Sequence, residues 1–167
     1  MEVEKAIKTA IDYETRVRDV YASAVANTQN ETARRVFERL ANEEQGHIDY
    51  LESRLVEWRK TGALKPKELA TAIPTKGAIE EGVKKLESKM KEPDKFGEVQ
   101  MLTKALDVEI ETSNFYGEMV SQLADEPQKM FERFLEIEAG HLAIVQAELD
   151  SLTGSGFWFD FAEFSLE

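Results

Sequence analysis

The sequence predicts an all-α fold: a four-helix bundle made of two αα-hairpins joined by a long crossover connection. Three observations carry this. Apolar residues recur at steps of three and four through four long segments. Short polar breaks separate the first segment from the second and the third from the fourth, whereas a stretch rich in proline and glycine, residues 61–96, parts the two pairs. The second pair also repeats features of the first.

The first helix is expected over residues 3–28, where Ile7, Ala10, Ile11, Glu14, Val17, Tyr21 and Ala24 trace one stripe. Asn27-Thr-Gln-Asn30 breaks the pattern, and Asn30 is placed to cap a second helix that runs to about Lys60. Its stripe is Phe37, Leu40, Glu44, His47, Ile48, Leu51, Leu55 and Trp58. At 1.5 Å per residue each helix spans about 40 Å, and the short turn makes them a hairpin.

Gly62, Pro66, Pro74, Gly77, Pro93 and Gly97 punctuate the connection. Within it, residues 78–91 carry a weak stripe of Ile79, Val83, Leu86 and Met90, which predicts a shorter helix on the surface. The third long helix runs from about Gly97 to Leu123, with Leu102, Ala105, Leu106, Glu109, Thr112, Tyr116, Met119 and Leu123 on its stripe. Pro127 suits the first turn of the fourth, where a missing N–H costs nothing. That helix presents Phe131, Phe134, Glu138, His141, Leu142, Val145 and Leu149, and ends near Leu152. Residues 1–152 thus form one domain. Residues 153–167 form an aromatic tail, expected to pack on the bundle or on a partner.

The repeat is where the chemistry lies. Glu44-Gln-Gly-His47 returns 94 residues later as Glu138-Ala-Gly-His141, preceded by Phe37-Glu-Arg-Leu40 in the first copy and Phe131-Glu-Arg-Phe134 in the second. Glu14 stands seven residues before Tyr21, and Glu109 seven before Tyr116. Glu44 follows Glu14 by 30 residues, and Glu138 follows Glu109 by 29. All four glutamates interrupt apolar stripes, so all four should face the core. A buried carboxylate alone costs several kcal/mol or takes up a proton, and four together repel one another. Two divalent cations would cancel the four charges, and two neutral imidazoles would complete the coordination. Oxygen and nitrogen donors without sulfur suit iron or manganese, with zinc a possible substitute. The chain has only two histidines, and both fall in this motif. Gly46 and Gly140 recur mid-helix, where glycine costs about 1 kcal/mol against alanine; close approach of a neighbouring segment is the expected reason.

With its paired Glu-x-x-His helices answered by single glutamates, the chain resembles the ferritin-like di-iron carboxylate proteins, a pattern well known for such bundles. The likeness is to the rubrerythrin-like branch and covers residues 3–60 and 97–152. It implies a ferritin-like bundle binding two iron ions. Glu14 and Glu109 would be terminal ligands, Glu44 and Glu138 bridging ligands, and His47 and His141 terminal ligands. Tyr21 and Tyr116 resemble the family's tyrosines that hydrogen-bond across to ligand carboxylates. Two departures stand out. Rubrerythrins usually add a rubredoxin domain with a four-cysteine iron, and this chain has no cysteine. They also carry an additional glutamate on the third helix, where this chain has Thr112, three residues beyond Glu109. Glu111 is nearby but lies about 200° around the helix from Glu109, so it should face outward unless a π-bulge turns it in.

The absence of cysteine excludes thiolate chemistry and disulfides. A net charge of −12 argues against nucleic acid as a partner. No stretch approaches the roughly 18 apolar residues of a membrane span, and the N-terminus lacks an apolar leader, so a cytoplasmic location is expected. The expected function is a di-iron oxidoreductase that reduces hydrogen peroxide or dioxygen, takes electrons from an external donor protein and works as a homodimer. A ferritin-like iron-binding or ferroxidase protein for storage or transfer is the alternative, and a purely structural dimeric bundle with an adventitious metal is a third.

Overall fold

A computed structural model describes residues 2–86, 96–154 and Trp158. Its order is α1 (Val3–Asn27), α2 (Glu31–Thr61), α3 (Lys76–Leu86), α4 (Phe96–Gln122) and α5 (Asp125–Gly154), with no strand among the described residues. The fold is all-helical. None of these helices is long and apolar enough to cross a membrane.

Local signals explain the helix boundaries. Asn30 caps α2 as expected, its side chain accepting from the Ala33 N–H at 3.0 Å. Gly62 ends α2 in the left-handed region (φ 69°), and its N–H returns to the Trp58 carbonyl at 2.7 Å. Pro127 falls in the first turn of α5, which begins two residues earlier at Asp125. That helix runs to Gly154, slightly past the expected end near Leu152.

The helices pack α1 on α2, α4 on α5, α1 on α4 and α3 on α5. Arg59 in the last turn of α2 donates to Glu4 in the first turn of α1, so those two run in opposite directions. Two apolar clusters fill the interior. One gathers Val17, Tyr21, Phe37, Leu40, Leu102, Ala105, Ile144 and Val145. The other holds Ile7, Ala10, Leu51, Leu55, Tyr116, Met119, Phe131 and Phe134. Along each long helix, the polar residues singled out above fall between the stretch feeding one cluster and the stretch feeding the other.

The connection departs from expectation in one respect. The short helix α3 is not simply a surface helix, because Ile79 is fully buried and joins the first cluster together with Ile73. Met90 and the rest of residues 87–95 lie outside the described residues. Of the aromatic tail beyond Gly154, only Trp158 is described. It is buried edge-on against Phe37 (ring centroids 5.1 Å apart, 74° between planes) and donates its N–H to Glu98 at 3.0 Å.

Candidate metal centre

The stripes place six ionisable groups in one layer. Glu14 comes from α1, Glu44 and His47 from α2, Glu109 from α4, and Glu138 and His141 from α5, and all are essentially inaccessible to solvent. His47 and His141 stack in parallel, with ring centroids 5.3 Å apart and 8° between planes. His47 Nδ1 lies 3.3 Å from Glu14, 3.2 Å from Glu44 and 3.7 Å from Glu138. His141 Nδ1 lies 2.7 Å from Glu44, 3.5 Å from Glu109 and 3.6 Å from Glu138. Oxygen and nitrogen atoms therefore converge in two overlapping sets, Glu14–Glu44–His47–Glu138 and Glu44–Glu109–Glu138–His141, within each of which they lie inside 4.8 Å of one another.

The two tyrosines cross the bundle. Tyr21 on α1 donates to Glu109 on α4 at 2.5 Å, and Tyr116 on α4 donates to Glu14 on α1. Each hairpin thus holds the single glutamate of the other. Thr112 is buried, but its hydroxyl is engaged by its own helix, donating to the Val108 carbonyl at 2.7 Å. Glu111 is exposed and paired with Arg16 at 3.0 Å, facing away from the cluster. No π-bulge interrupts α4 to turn it inward.

Electrostatics divides the carboxylates into two kinds. Burial, reinforced by Glu14, pushes Glu44 up to about 8. Burial and Glu109 likewise raise Glu138 well above the usual range. For Glu14 burial acts upward, but the charge of His47 and the bonds around it prevail and hold it at about 2. Glu109 is lowered the same way, by His141 and Tyr21 against its burial. Burial works against protonation of both histidines, yet the surrounding carboxylates raise them well above their ordinary value. Burial and the facing glutamates push both tyrosines up, so both phenols keep their protons. The raised values favour protons on Glu44, Glu138 and the two imidazoles.

The donor set nevertheless suits a cation better than protons. Both oxygens of Glu44 and of Glu138, one of Glu109, and Nδ1 of His141 are buried without a hydrogen-bond partner. Native interiors leave few such atoms, and here they converge. The buried groups could hold a metal ion.

Sequence reasoning missed one neighbour. Glu43 lies beside both imidazoles, its Oε1 at 3.7 Å from His47 Nε2 and 3.8 Å from His141 Nε2. Burial would raise it, but the nearby imidazoles of His141 and His47 and the hydrogen bonds from Thr71 and Ala72 hold it far below the usual range. It is off the apolar stripe of α2, and its counterpart in the second copy is Ile137, so neither periodicity nor repetition marks it. The repeated glycines also behave differently. A Cβ on Gly140 would lie 2.7 Å from the Pro74 carbonyl oxygen, the close approach expected of it. A Cβ on Gly46 would meet nothing within 4 Å beyond its own helix, which corrects the same expectation there. Gly46 instead lines a surface pocket of about 410 Å³ that reaches Glu43 and His47 between α2 and residues 67–70.

Comparison with protein-family models, with curated proteins and with solved structures finds no match to this chain.

Proposed function

We propose that residues 1–152 form a ferritin-like four-helix bundle of rubrerythrin type that holds two metal ions, iron natively, with manganese or zinc as substitutes. One observation carries this reading: the two ligand sets share Glu44 and Glu138, and each adds one further glutamate and one histidine of its own. Shared carboxylates would serve as bridges, and unshared residues as terminal ligands. The division matches the roles that the sequence resemblance implies.

Bound there, iron would supply the redox chemistry, passing electrons to hydrogen peroxide or dioxygen. The chain supplies the rest. Its four carboxylates offset the charge of two divalent cations, and its histidines join as neutral donors. Loading would therefore drive protons off Glu44, Glu138, His47 and His141. Tyr116 and Tyr21 orient Glu14 and Glu109 and keep phenolic protons beside the reacting layer. Phe134, edge-on to His47 at 5.4 Å, and the two apolar clusters wall the layer with apolar side chains. The pocket beside Gly46 brings solvent-sized space up to His47 and Glu43 at the edge of the layer.

The electron donor is proposed to be a separate protein. A homodimer is the proposed assembly, in keeping with an open apolar groove lined by Ile79, Leu106, Ile110, Leu135 and Leu142. The test is anaerobic loading with ferrous iron followed by hydrogen peroxide. About two irons should be retained per chain, and peroxide should be consumed in proportion to them. Loaded protein that reacts with dioxygen but leaves peroxide untouched would overturn the peroxidase reading in favour of a ferroxidase.

A further inference from the structure

The two imidazoles use their ring nitrogens in a consistent way. On both rings Nδ1 faces three of the four glutamates of the layer, whereas Nε2 faces outward to the same atom, Glu43 Oε1, at 3.7 and 3.8 Å. Both Nε2 atoms are buried without a hydrogen-bond partner. Both distances exceed hydrogen-bond length by less than about 1 Å. Glu43 is in turn fixed from the connection between α2 and α3, where the Thr71 hydroxyl and the Ala72 N–H (3.1 Å) both donate to it. A carboxylate offers about four acceptor positions. Four donors surround this one, with Thr71 and the two imidazoles at Oε1 and the Ala72 N–H at Oε2.

We propose that Glu43 is a positioning residue that takes the Nε2–H of both histidines, makes Nδ1 the ligating nitrogen at both metal positions, and ties the pair to the connection at residues 71–72. The role rests on the two-metal reading above. Imidazole ligands are generally oriented by an acceptor on their second nitrogen, and here the parallel stacking of the rings lets one acceptor serve two. The two metal positions are thereby linked outside the bridging glutamates. Loading either one draws on the carboxylate that also anchors the connection.

The test uses the full chain loaded with Co(II), whose paramagnetism shifts the exchangeable Nε2–H protons of bound histidines out of the main proton spectrum. Unaltered protein should show two such protons in slow exchange with solvent. Glu43→Gln keeps the side chain's shape but loses half of the acceptor capacity and sets N–H against N–H. It should lower Co(II) affinity about 10- to 100-fold, speed solvent exchange of both imidazole protons, and speed exchange of the Ala72 amide. Thr71→Val leaves the carboxylate in place and removes one tie, so the same two imidazole protons should exchange faster there while Co(II) stoichiometry stays at the unaltered value. If Glu43→Gln does not fold, Thr71→Val alone decides, and unchanged imidazole exchange in it overturns the proposal. Two Co(II) bound by Glu43→Gln with full affinity and both protons undisturbed would overturn the role of Glu43 while leaving the two-metal reading intact. No Co(II) bound by the unaltered chain would refute that reading and this role with it.

Discussion

The two helical hairpins carry the same set of two glutamates and one histidine on different surroundings. In the first, Glu44 and His47 are flanked by an acidic neighbour, Glu43, and by an open glycine, Gly46. In the second, Glu138 and His141 are flanked by Ile137 and by Gly140, which lies under the Pro74 carbonyl. The connection is the source of the difference. It passes once over the seam between α2 and α5, binding Glu43 through Thr71 and Ala72 and then closing on Gly140 through Pro74. Duplication thus repeats what must face inward, and the single connection makes the outer sides unlike. What the hairpins exchange is symmetric again, since each tyrosine serves the glutamate of the opposite pair.

The sharpest way to break this comparison is to remove ligands one class at a time. Glu44→Ala or Glu138→Ala deletes a residue common to both sets and should empty both positions. Glu14→Ala or Glu109→Ala touches one set only and should leave about one metal per chain. Metal analysis after gel filtration reads the difference, and equal loss in all four variants would show that shared and unshared glutamates are not distinct.

Acidity gives the next largest effect. Glu44, Glu138, His47 and His141 all hold protons more tightly in the folded metal-free chain than their ordinary values of 4.5 and 6.5 allow. Their contribution is complete below those values and is lost as pH rises through the folded ones, near 8 for Glu44. Glu14 behaves oppositely: its contribution is present above 4.5 and fades as pH falls towards about 2. Urea melts of metal-free protein should therefore show stability falling between about pH 6.5 and about pH 8.5. Metal-loaded protein should show the reverse, because cations compete with protons for the same atoms. Stability of the metal-free chain that holds steady or rises over that range would contradict the protonation described.

The glycines provide the smallest test. Gly140→Ala must displace the Pro74 carbonyl and should cost about 1–3 kcal/mol. Gly46→Ala meets open space in a helical segment and should gain up to about 1 kcal/mol. Denaturant midpoints separate the two, and a loss at Gly46 equal to that at Gly140 would restore a packing role to both.

Much of this was legible in the sequence because the informative residues are periodic. Glu14, Glu44, Glu109 and Glu138 announce themselves by interrupting apolar stripes, and the repeat pairs them. Tyr21 and Tyr116 were legible as partners of ligand carboxylates, but the crossing between hairpins needs the packing of α1 on α4. Glu43 was not legible: it lies about 100° around the helix from Glu44, has no echo in the second copy, and depends on Thr71 and Ala72 in an aperiodic segment. Glu98 was hidden for the same reason. It is buried where Thr28 (2.8 Å) and Trp158 meet it, and both partners lie outside the helices. Repetition in sequence reveals what two halves share, and tertiary contact is needed to see what one half has alone.

In the proposed reading two metals would sit side by side, bridged by Glu44 and Glu138. Anomalous scattering at the iron edge from crystals of anaerobically iron-loaded protein tests it most directly. Two peaks per chain are expected, one among Glu14, Glu44, His47 and Glu138 and the other among Glu44, Glu109, Glu138 and His141. A layer without a peak, or a single peak outside it that persists in Glu138→Ala, would contradict the account.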